Sequence, residues 1–248
     1  GIPASTLLAG LAIPVVILHT GWRSAYVFAA LFGVVVWLLA AGEFTPGDVP
    51  PADTRRRVEP MTTRLLVGLA IGASMATWGA IALSTYLVAA AVDRGFTEAA
   101  AGWLLFAGSA ASIAGRVAVG YVTDRRNGRG FGAMTALTAV GVIVFWVFGT
   151  VTGVAFSALV LAAFATGWGW PGLMTFTVVN ANTGSAARSS GITQAGIFFG
   201  AGAGPVVIGV VAERWGFDAI WILVGAALAV ASVAIAAVGR VATRSDPT

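Results

Sequence analysis

Long apolar segments that carry no charge constrain this chain more than any other feature of its sequence. One of them, VGLAIGASMATWGAIALSTYLVAAAV, spans residues 67–92 without a charged side chain. An α-helix needs about 20 such residues to cross the hydrocarbon core of a bilayer. Charged residues make up only 10% of the chain, whereas a soluble domain has about 25%. The sequence therefore predicts a protein whose surface faces lipid.

Eight apolar segments are long enough to span a bilayer, so we predict an all-α, polytopic membrane protein. Helices are expected because the apolar runs are continuous, whereas the strands of a membrane barrel alternate apolar and polar residues. Lipid also offers no hydrogen-bond partner, so every backbone N–H and C=O group within it must be paired inside the protein. The predicted transmembrane helices are residues 1–18, 24–42, 64–92, 98–122, 131–150, 153–179, 188–212 and 217–239.

The arginines fall on alternate connections between these segments. One set of connections, with the C-terminal tail, contains ten arginines, and the other set contains three, Arg23, Arg94 and Arg214. Because basic residues concentrate on the cytoplasmic side of a membrane, the first set and the C-terminus are predicted to be cytoplasmic, in the plasma or inner membrane. The basic residues lie at helix ends and form no single patch, so nucleic acid is not an expected partner. The ten are Arg55, Arg56, Arg57, Arg64, Arg125, Arg126, Arg129, Arg188, Arg240 and Arg244.

Two pairs of predicted helices share a spacing of glycine and proline. In each pair, the spaced residues are followed by a short connection that contains Gly and Trp. An aromatic-rich helix comes next. This pattern predicts an internal repeat. The spaced residues are Gly1, Gly10 and Pro14 in the earlier pair, and Gly191, Gly200, Gly204 and Pro205 in the later pair.

The repeat predicts how the chain is organised. Residues 64–240 are expected to form a complete six-helix half, and residues 1–42 the last two helices of a preceding half. Residues 43–63 are the predicted cytoplasmic loop between the halves, and residues 241–248 the cytoplasmic tail. The first four helices of the preceding half are then a missing part of the same protein. Repeated halves are a common construction of transporters.

A charged, glycine-rich connection, GYVTDRRNGRG, occupies residues 120–130. It resembles the loop signature of the major facilitator superfamily, and Gly120, Asp124, Arg125, Gly128 and Arg129 fill that signature with one extra residue between Arg125 and Gly128. The glycine and proline spacing resembles a second motif of this family. The resemblance covers the chain as helices five to twelve of twelve, so it implies that fold without its first four helices.

We hypothesise that three residues of this connection, Asp124, Arg125 and Arg129, form a cytoplasmic latch that closes in the outward-open state and breaks in the inward-open state. A carboxylate at a helix end can accept hydrogen bonds from the N-terminus of an adjacent helix or pair with arginine. Gly120 is expected to permit close approach of a neighbouring helix. The alternative is a solvated loop whose arginines only fix the orientation of the protein.

Hydroxyl and amide side chains concentrate in the predicted helices 64–92, 153–179 and 188–212. Because polar groups within a bilayer face protein or a water-filled cavity, these helices are expected to line the path of a solute. Tryptophans there could equally be packing or lipid-facing groups, and Gln194 could bridge two helices. The candidate lining residues are Thr77, Trp78, Trp168, Trp170 and Gln194.

The segment GWGWPG at residues 167–172 predicts a bend in its helix. Pro171 removes a backbone hydrogen bond, and the flanking glycines let the helix change direction. We therefore predict that this helix flexes at Pro171, and we assign the same role to Gly200, Gly204 and Pro205.

Arg116 is the one clearly intramembrane charge, about 12 Å deeper than Asp124 along the same helix. It could attract an anionic substrate, or it could extend to the interface and join the cytoplasmic charges. The family resemblance favours the structural role, since an arginine shortly before the loop signature is frequent there. No predicted helix has a mid-span acid and His19 lies at a helix end, so these residues offer no evident proton relay.

These observations predict a secondary transporter that moves a small organic or anionic solute by alternating access, with the direction undetermined. An enzyme is not expected, because one histidine, no cysteine and no mid-span acid leave almost nothing for a catalytic site. We therefore assign no catalytic residue, metal or cofactor, and expect only lipid and a small solute as partners, besides the missing helices. The alternative is a membrane receptor or assembly protein that transports nothing.

Overall fold

The computed structural model describes residues 2–40, 61–125 and 130–244. These residues are almost entirely helical, and no strand occurs among them, so the predicted all-α class is confirmed. A π-helical turn, Ile13–Ile17, joins α1 to α2, and a 3₁₀ turn, Thr183–Ser185, precedes α9. The helices are α1 Ile2–Ala12, α2 Leu18–Thr20, α3 Arg23–Ala40, α4 Thr63–Asp93, α5 Glu98–Arg125, α6 Gly130–Phe148, α7 Gly153–Trp168, α8 Trp170–Ala181 and α9 Ala186–Arg244.

Five helical segments are long and apolar enough to cross a membrane, judged by length and composition. Two further apolar helices, Ser5–Thr20 and Arg23–Leu39, are shorter. The chain is thus a multi-pass membrane protein by these criteria, while the number of eight spans stays a prediction. The five segments are Thr63–Asp93, Glu98–Thr123, Gly130–Phe148, Gly153–Ala181 and Thr183–Ala242.

The last of these segments contains two of the predicted helices, separated by a break at Gly216. Its φ of 81° and ψ of 177° are not helical, and this left-handed φ is open to glycine but strained for other residues. Gly21, between α2 and α3, has a φ of 85° and a ψ of 161°. The two connections that the predicted repeat relates therefore turn in the same way, and the division of the chain into halves stays a prediction.

Helix α4 lies at the centre of the bundle, where Leu69, Leu83 and Leu87 are fully buried. It packs against both parts of α9, residues 186–215 and 217–244, because close contacts join Gly200 to Ser74 on one side and Gly72 to Ile235 on another. Glycine lets the backbones of two membrane helices approach closely. The same device joins α1 to α5, where Gly10 lies against the backbone of Phe106.

An aromatic cluster closes the bundle where α6 ends and α7 begins. Phe148 stacks on Phe156 with ring centroids 4.5 Å apart, and Trp221 contacts Phe148 edge-on at 4.7 Å. Arg94 lies over the Phe156 ring at 4.8 Å and forms an ion pair with Asp218. This cluster ties the connection between α4 and α5 to the starts of α7 and of the second part of α9.

Many large apolar side chains of the outer helices are exposed in the isolated chain. On α3, Tyr26, Trp37 and Leu39 are 71%, 67% and 73% exposed. A soluble protein rarely exposes a contiguous apolar surface of this kind. These faces are suited to contact with lipid or with further helices of a larger bundle.

Candidate functional site

The loop signature begins on the last turns of α5. Arg125, the last residue of that helix, places its guanidinium carbon 4.3 Å from the centre of the Tyr121 ring. The backbone of Asp124 belongs to the same helix, whereas Gly128 and Arg129 lie outside the described residues. The latch therefore stays a prediction.

Gly120 lines a cleft between α5 and α8. A Cβ atom built on Gly120 would have no atom of the described residues within 4 Å. No helix among these residues therefore packs closely on Gly120, and the close approach expected from the signature stays a prediction. The missing side chain enlarges the cleft.

The helix predicted over residues 153–179 is kinked at Gly169, where α7 ends at Trp168 and α8 begins at Trp170. Gly169 itself keeps helical dihedral angles, φ −70° and ψ −29°, so the break lies in the hydrogen bonds and the helical path continues. Pro171 has no N–H to donate to the carbonyl of Gly167, four residues earlier. The indole Nε1 of Trp170 donates to that carbonyl at 3.0 Å instead. The break thus occurs at the predicted place, and a side chain supplies the hydrogen bond that the proline cannot make.

Arg116 supplies a second hydrogen bond to the same break. Its Nε donates to the carbonyl oxygen of Trp168 at 2.6 Å, and its guanidinium lies 5.6 Å from the centre of the Trp168 ring. Arg116 thus reaches sideways to the end of α7, and among the described side chains it forms no ion pair. The observed contact of Arg116 thus caps the Trp168 carbonyl beside the kink, whereas its pairing with the cytoplasmic charges stays a prediction.

A cleft of about 240 Å³ lies beside this break, between α5 and α8. Arg116, Gly120 and Thr123 line it from α5, and Gly169, Gly172 and Phe176 line it from the other side. Thr123 is 3% exposed, and its Oγ1 has no hydrogen-bond partner in the described part of the chain. Sequence reasoning missed Thr123, which nothing in its local pattern distinguishes from the other hydroxyls of these helices.

The tryptophans predicted to line a solute path are largely buried in packing. Trp168 is 5% exposed and Trp170 is fully buried. Trp78 is half-buried, and its ring lies against Gly204, where an added Cβ would be 3.2 Å from Cδ1. In this arrangement these residues form interhelical contacts, and their role as a wall of the solute path stays a prediction.

The polar lining candidates differ in whether their side chains are already engaged. Thr77 is 5% exposed, and its Oγ1 donates to the carbonyl of Ala73 in its own helix at 2.7 Å. Gln194 is half-buried, and its amide makes no hydrogen bond within the described ranges. Only the second side chain therefore has donors and acceptors available to another molecule.

The glycines of α9 that were predicted to flex mediate close packing in this structure. A Cβ on Gly200 would lie 2.9 Å from the Cα of Ser74, closer than real Cβ atoms come. Pro205 lies within α9, and its carbonyl accepts a hydrogen bond from the Tyr86 hydroxyl at 2.9 Å. Gly204 packs on Trp78, so this face of α9 is in close contact with α4. Flexing of α9 at these residues stays a prediction.

A second set of contacts that the sequence did not indicate lies where α4 begins. Asn182 is fully buried, its Oδ1 accepts the N–H of Met61 at 2.7 Å, and its Nδ2 donates to the carbonyl of Val178 at 2.8 Å. Arg188 donates to the Thr63 hydroxyl at 3.0 Å. The bonds of Met61 with Asn182 and of Arg188 with Thr63 join the entry to α4 with the end of α8. The partners in these two bonds are 121 and 125 residues apart, so no local signal could have found them.

Within the described residues, no group of three or more His, Asp or Glu side chains is placed to hold a metal ion. The chemistry of the site is therefore that of arginine, hydroxyl and amide groups in an apolar bundle.

Comparison with known proteins identifies the family. The sequence model of the Major Facilitator Superfamily matches residues 1–195 and again residues 67–248. The chain belongs to the Major Facilitator Superfamily. This agrees with the resemblance of the loop signature, and it makes the chain a transporter of the membrane, since members of the superfamily are generally transporters. No curated protein matches the chain.

Proposed function

We propose that this Major Facilitator Superfamily protein is a secondary transporter that moves a small organic or anionic solute across the plasma or inner membrane by alternating access. The observation that carries the proposal is the kink between α7 and α8 at Gly169 and Pro171, which lies beside an intramembrane arginine and an open cleft. A proline kink lets one part of a helix move relative to the other. The C-terminus is cytoplasmic in this proposal, and the direction of transport is left open.

The break supplies a place where a wall of the solute path can move. In a continuous helix, bending breaks backbone hydrogen bonds that lipid cannot replace. Here side chains of Trp170 and Arg116 already donate to the carbonyls of Gly167 and Trp168. Residues 170–181 can therefore change their angle to residues 153–168 at a smaller cost in free energy, which supports the prediction that the helix flexes at Pro171.

The latch at the end of α5 is the second part of the proposal. Asp124, Arg125 and Arg129 occupy the charged positions of the loop signature, at the end of a helix that borders the cleft. Contacts of these residues with neighbouring helices would hold the cytoplasmic side closed and would have to break when that side opens. Loss of the Asp124 charge is expected to slow this step without unfolding the protein.

Transport itself is tested with the full natural chain in proteoliposomes. Uptake and efflux of radiolabelled carboxylates, sugars and amines are measured, with protein-free vesicles as the reference. We expect at least one solute to exchange faster than in the reference. A protein that is inserted and folded but moves none of them in either direction contradicts the proposal.

The latch is tested with Asp124→Asn, with Asp93→Asn as a matched control. Asp93 is the last residue of α4, exposed and without a hydrogen bond or ion pair among the described residues. We expect slower transport in the first variant and an unchanged rate in the second. Equal rates in the two variants and in the natural protein would remove the latch.

A further inference from the structure

We infer that the cleft between α5 and α8 binds a small organic anion, whose carboxylate or phosphate group is held by Arg116. The inference rests on the proposed function, because the bound anion is taken to be the transported solute. The cleft volume of about 240 Å³ is just below the roughly 300–1,000 Å³ of most ligand pockets. The site is therefore suited to a small solute rather than a large one.

Arg116 retains most of its donors for a ligand. A guanidinium carries five N–H groups, and only the Nε group is used, on the carbonyl of Trp168. Nη1 and Nη2 have no hydrogen-bond partner or counter-ion in the described residues. Because a charge within a bilayer requires a partner, and because these two nitrogens form a fork that matches a carboxylate or phosphate, an anion is the ligand that best completes the site.

The α8 side of the cleft is formed partly by exposed backbone. Gly169 and Gly172 line the cleft and have no side chains that would cover the backbone. Gly169 keeps helical dihedral angles, so α7 and α8 form one kinked helix and its peptide dipoles add no separate positive end here. The charge that attracts an anion to the cleft is therefore that of Arg116.

Thr123 adds an independent polar group to the cleft. Its Oγ1 is buried, lines the cleft and has no hydrogen-bond partner among the described residues. A buried hydroxyl without a partner is unfavourable. Ser74, Ser112 and Thr177 share this state, but of these four hydroxyls only that of Thr123 lines the cleft. The Thr123 hydroxyl is therefore available to a bound molecule.

The spacing of these groups favours an organic anion over a simple ion. Thr123 lies seven residues after Arg116 on α5, which is about 10 Å along the helix axis. A halide or a free phosphate cannot bridge that length, whereas a solute with an anionic group at one end and a second polar group at the other can. Gly120 lies between them, and its missing side chain leaves the room for the body of the solute.

Binding is tested on the purified full natural chain in neutral detergent, by thermal unfolding followed through tryptophan fluorescence. The probes are succinate, benzoate and phosphoenolpyruvate at up to about 10 mM, each compared with chloride at equal ionic strength. At 100 times its dissociation constant, a ligand is expected to raise the unfolding temperature by about 5–10 °C. No rise with any of these anions overturns the site.

Two variants locate the binding. Arg116→Gln removes the charge and is expected to abolish the rise. This variant also loses the hydrogen bond to the Trp168 carbonyl and could fail to fold, so a second variant is needed. Gly120→Leu fills the cleft and leaves every charged residue in place, at a position where an added Cβ meets no described atom within 4 Å. Gly202→Leu is the matched control, since Gly202 is equally unobstructed but lies on α9 outside the cleft. A rise that persists in Gly120→Leu, or is lost in Gly202→Leu as well, overturns the assignment.

A lipid headgroup is the other source of an anionic group. The unfolding temperature is therefore also measured in nanodiscs of phosphatidylcholine, with and without phosphatidylglycerol. Stabilisation by phosphatidylglycerol alone, removed by Gly120→Leu and absent with the free anions, assigns the cleft to lipid and overturns the assignment to a solute.

The failure of this inference is distinguishable from the failure of the proposed function. If Gly120→Leu removes anion binding but the natural protein moves no solute in proteoliposomes, the site is supported and the transport function is contradicted. Transport of an anion at an unchanged rate in Gly120→Leu retains the function and contradicts the site.

Discussion

Replacement of Gly200 by alanine tests whether the glycines of α9 serve packing or flexibility. A Cβ at this position would lie 2.9 Å from the carbon atoms of the Ser74 backbone, whereas ordinary contacts begin at 3.4 Å. The obstructing atoms belong to backbone in the middle of α4 and cannot rotate away. To accept the methyl group, α4 and α9 must therefore move apart by about 0.5 Å or more, along a contact that buries much of both helices.

The expected magnitude follows from comparison with Gly202→Ala. Both substitutions gain about 1 kcal/mol of intrinsic helix preference, so this effect cancels between them. Gly202 is exposed, and a Cβ there meets no described atom within 4 Å. The difference between the variants is then the cost of overpacking, about 1–3 kcal/mol. For a chain of this length, about 2 kcal/mol corresponds to an unfolding temperature lower by about 4–8 °C.

The assay is thermal unfolding in detergent, followed through the tryptophan fluorescence of the full natural chain. We expect Gly202→Ala to unfold at or above the temperature of the natural protein, and Gly200→Ala clearly below Gly202→Ala. If Gly200 only gives α9 flexibility, its replacement stiffens the helix without strain and the two variants unfold together. Equal unfolding temperatures would therefore refute the packing argument.

Two further predictions concern contacts between distant parts of the chain. Asn182→Ala leaves the partly buried N–H of Met61 without its partner and is expected to lower the free energy of unfolding by about 1–2 kcal/mol. The control Asn180→Ala, at an exposed position, should change it by less than about 0.5 kcal/mol; equal effects in denaturant titrations would contradict the contribution of this hydrogen bond. Asp218→Asn removes the ion pair with Arg94, whose side chain is 6% exposed. Because Asp218 itself is 71% exposed, the expected loss is only about 0.5–1 kcal/mol, seen as a lower unfolding temperature than in the control Glu213→Gln. Identical thermal unfolding curves for Asp218→Asn and Glu213→Gln would show that the ion pair contributes nothing to stability.

The sequence predicted the helices and the break in one of them because these features depend on local chemistry. Uncharged apolar runs require helices in lipid, and Pro171 removes its own hydrogen bond wherever the helix lies. The predicted packing was less successful, since a close contact needs two partners. A Cβ built on Gly120 meets no described atom within 4 Å, whereas one built on Gly200 meets the backbone of Ser74, and neither surrounding could be inferred from the glycine motifs.

The candidate site shows the same division. Arg116 is conspicuous in the sequence because a charge within an apolar run is costly, so its importance could be predicted. Its contact with the carbonyl of Trp168 could not, because 52 residues separate the two positions. Thr123 carried no signal in the sequence, since only its position in the cleft distinguishes it from the other buried hydroxyls without a partner.

The sequence by itself determined the solvent of this protein, its helical class and its family, because each follows from the order of residues along short segments. Only the tertiary structure decided which helices meet, which carbonyl Arg116 caps and where a cleft remains open. The physical reason is that a lipid environment stabilises every apolar helix to nearly the same extent. The choice among partners then depends on close packing and on a few polar groups, and both exist only once the helices lie side by side.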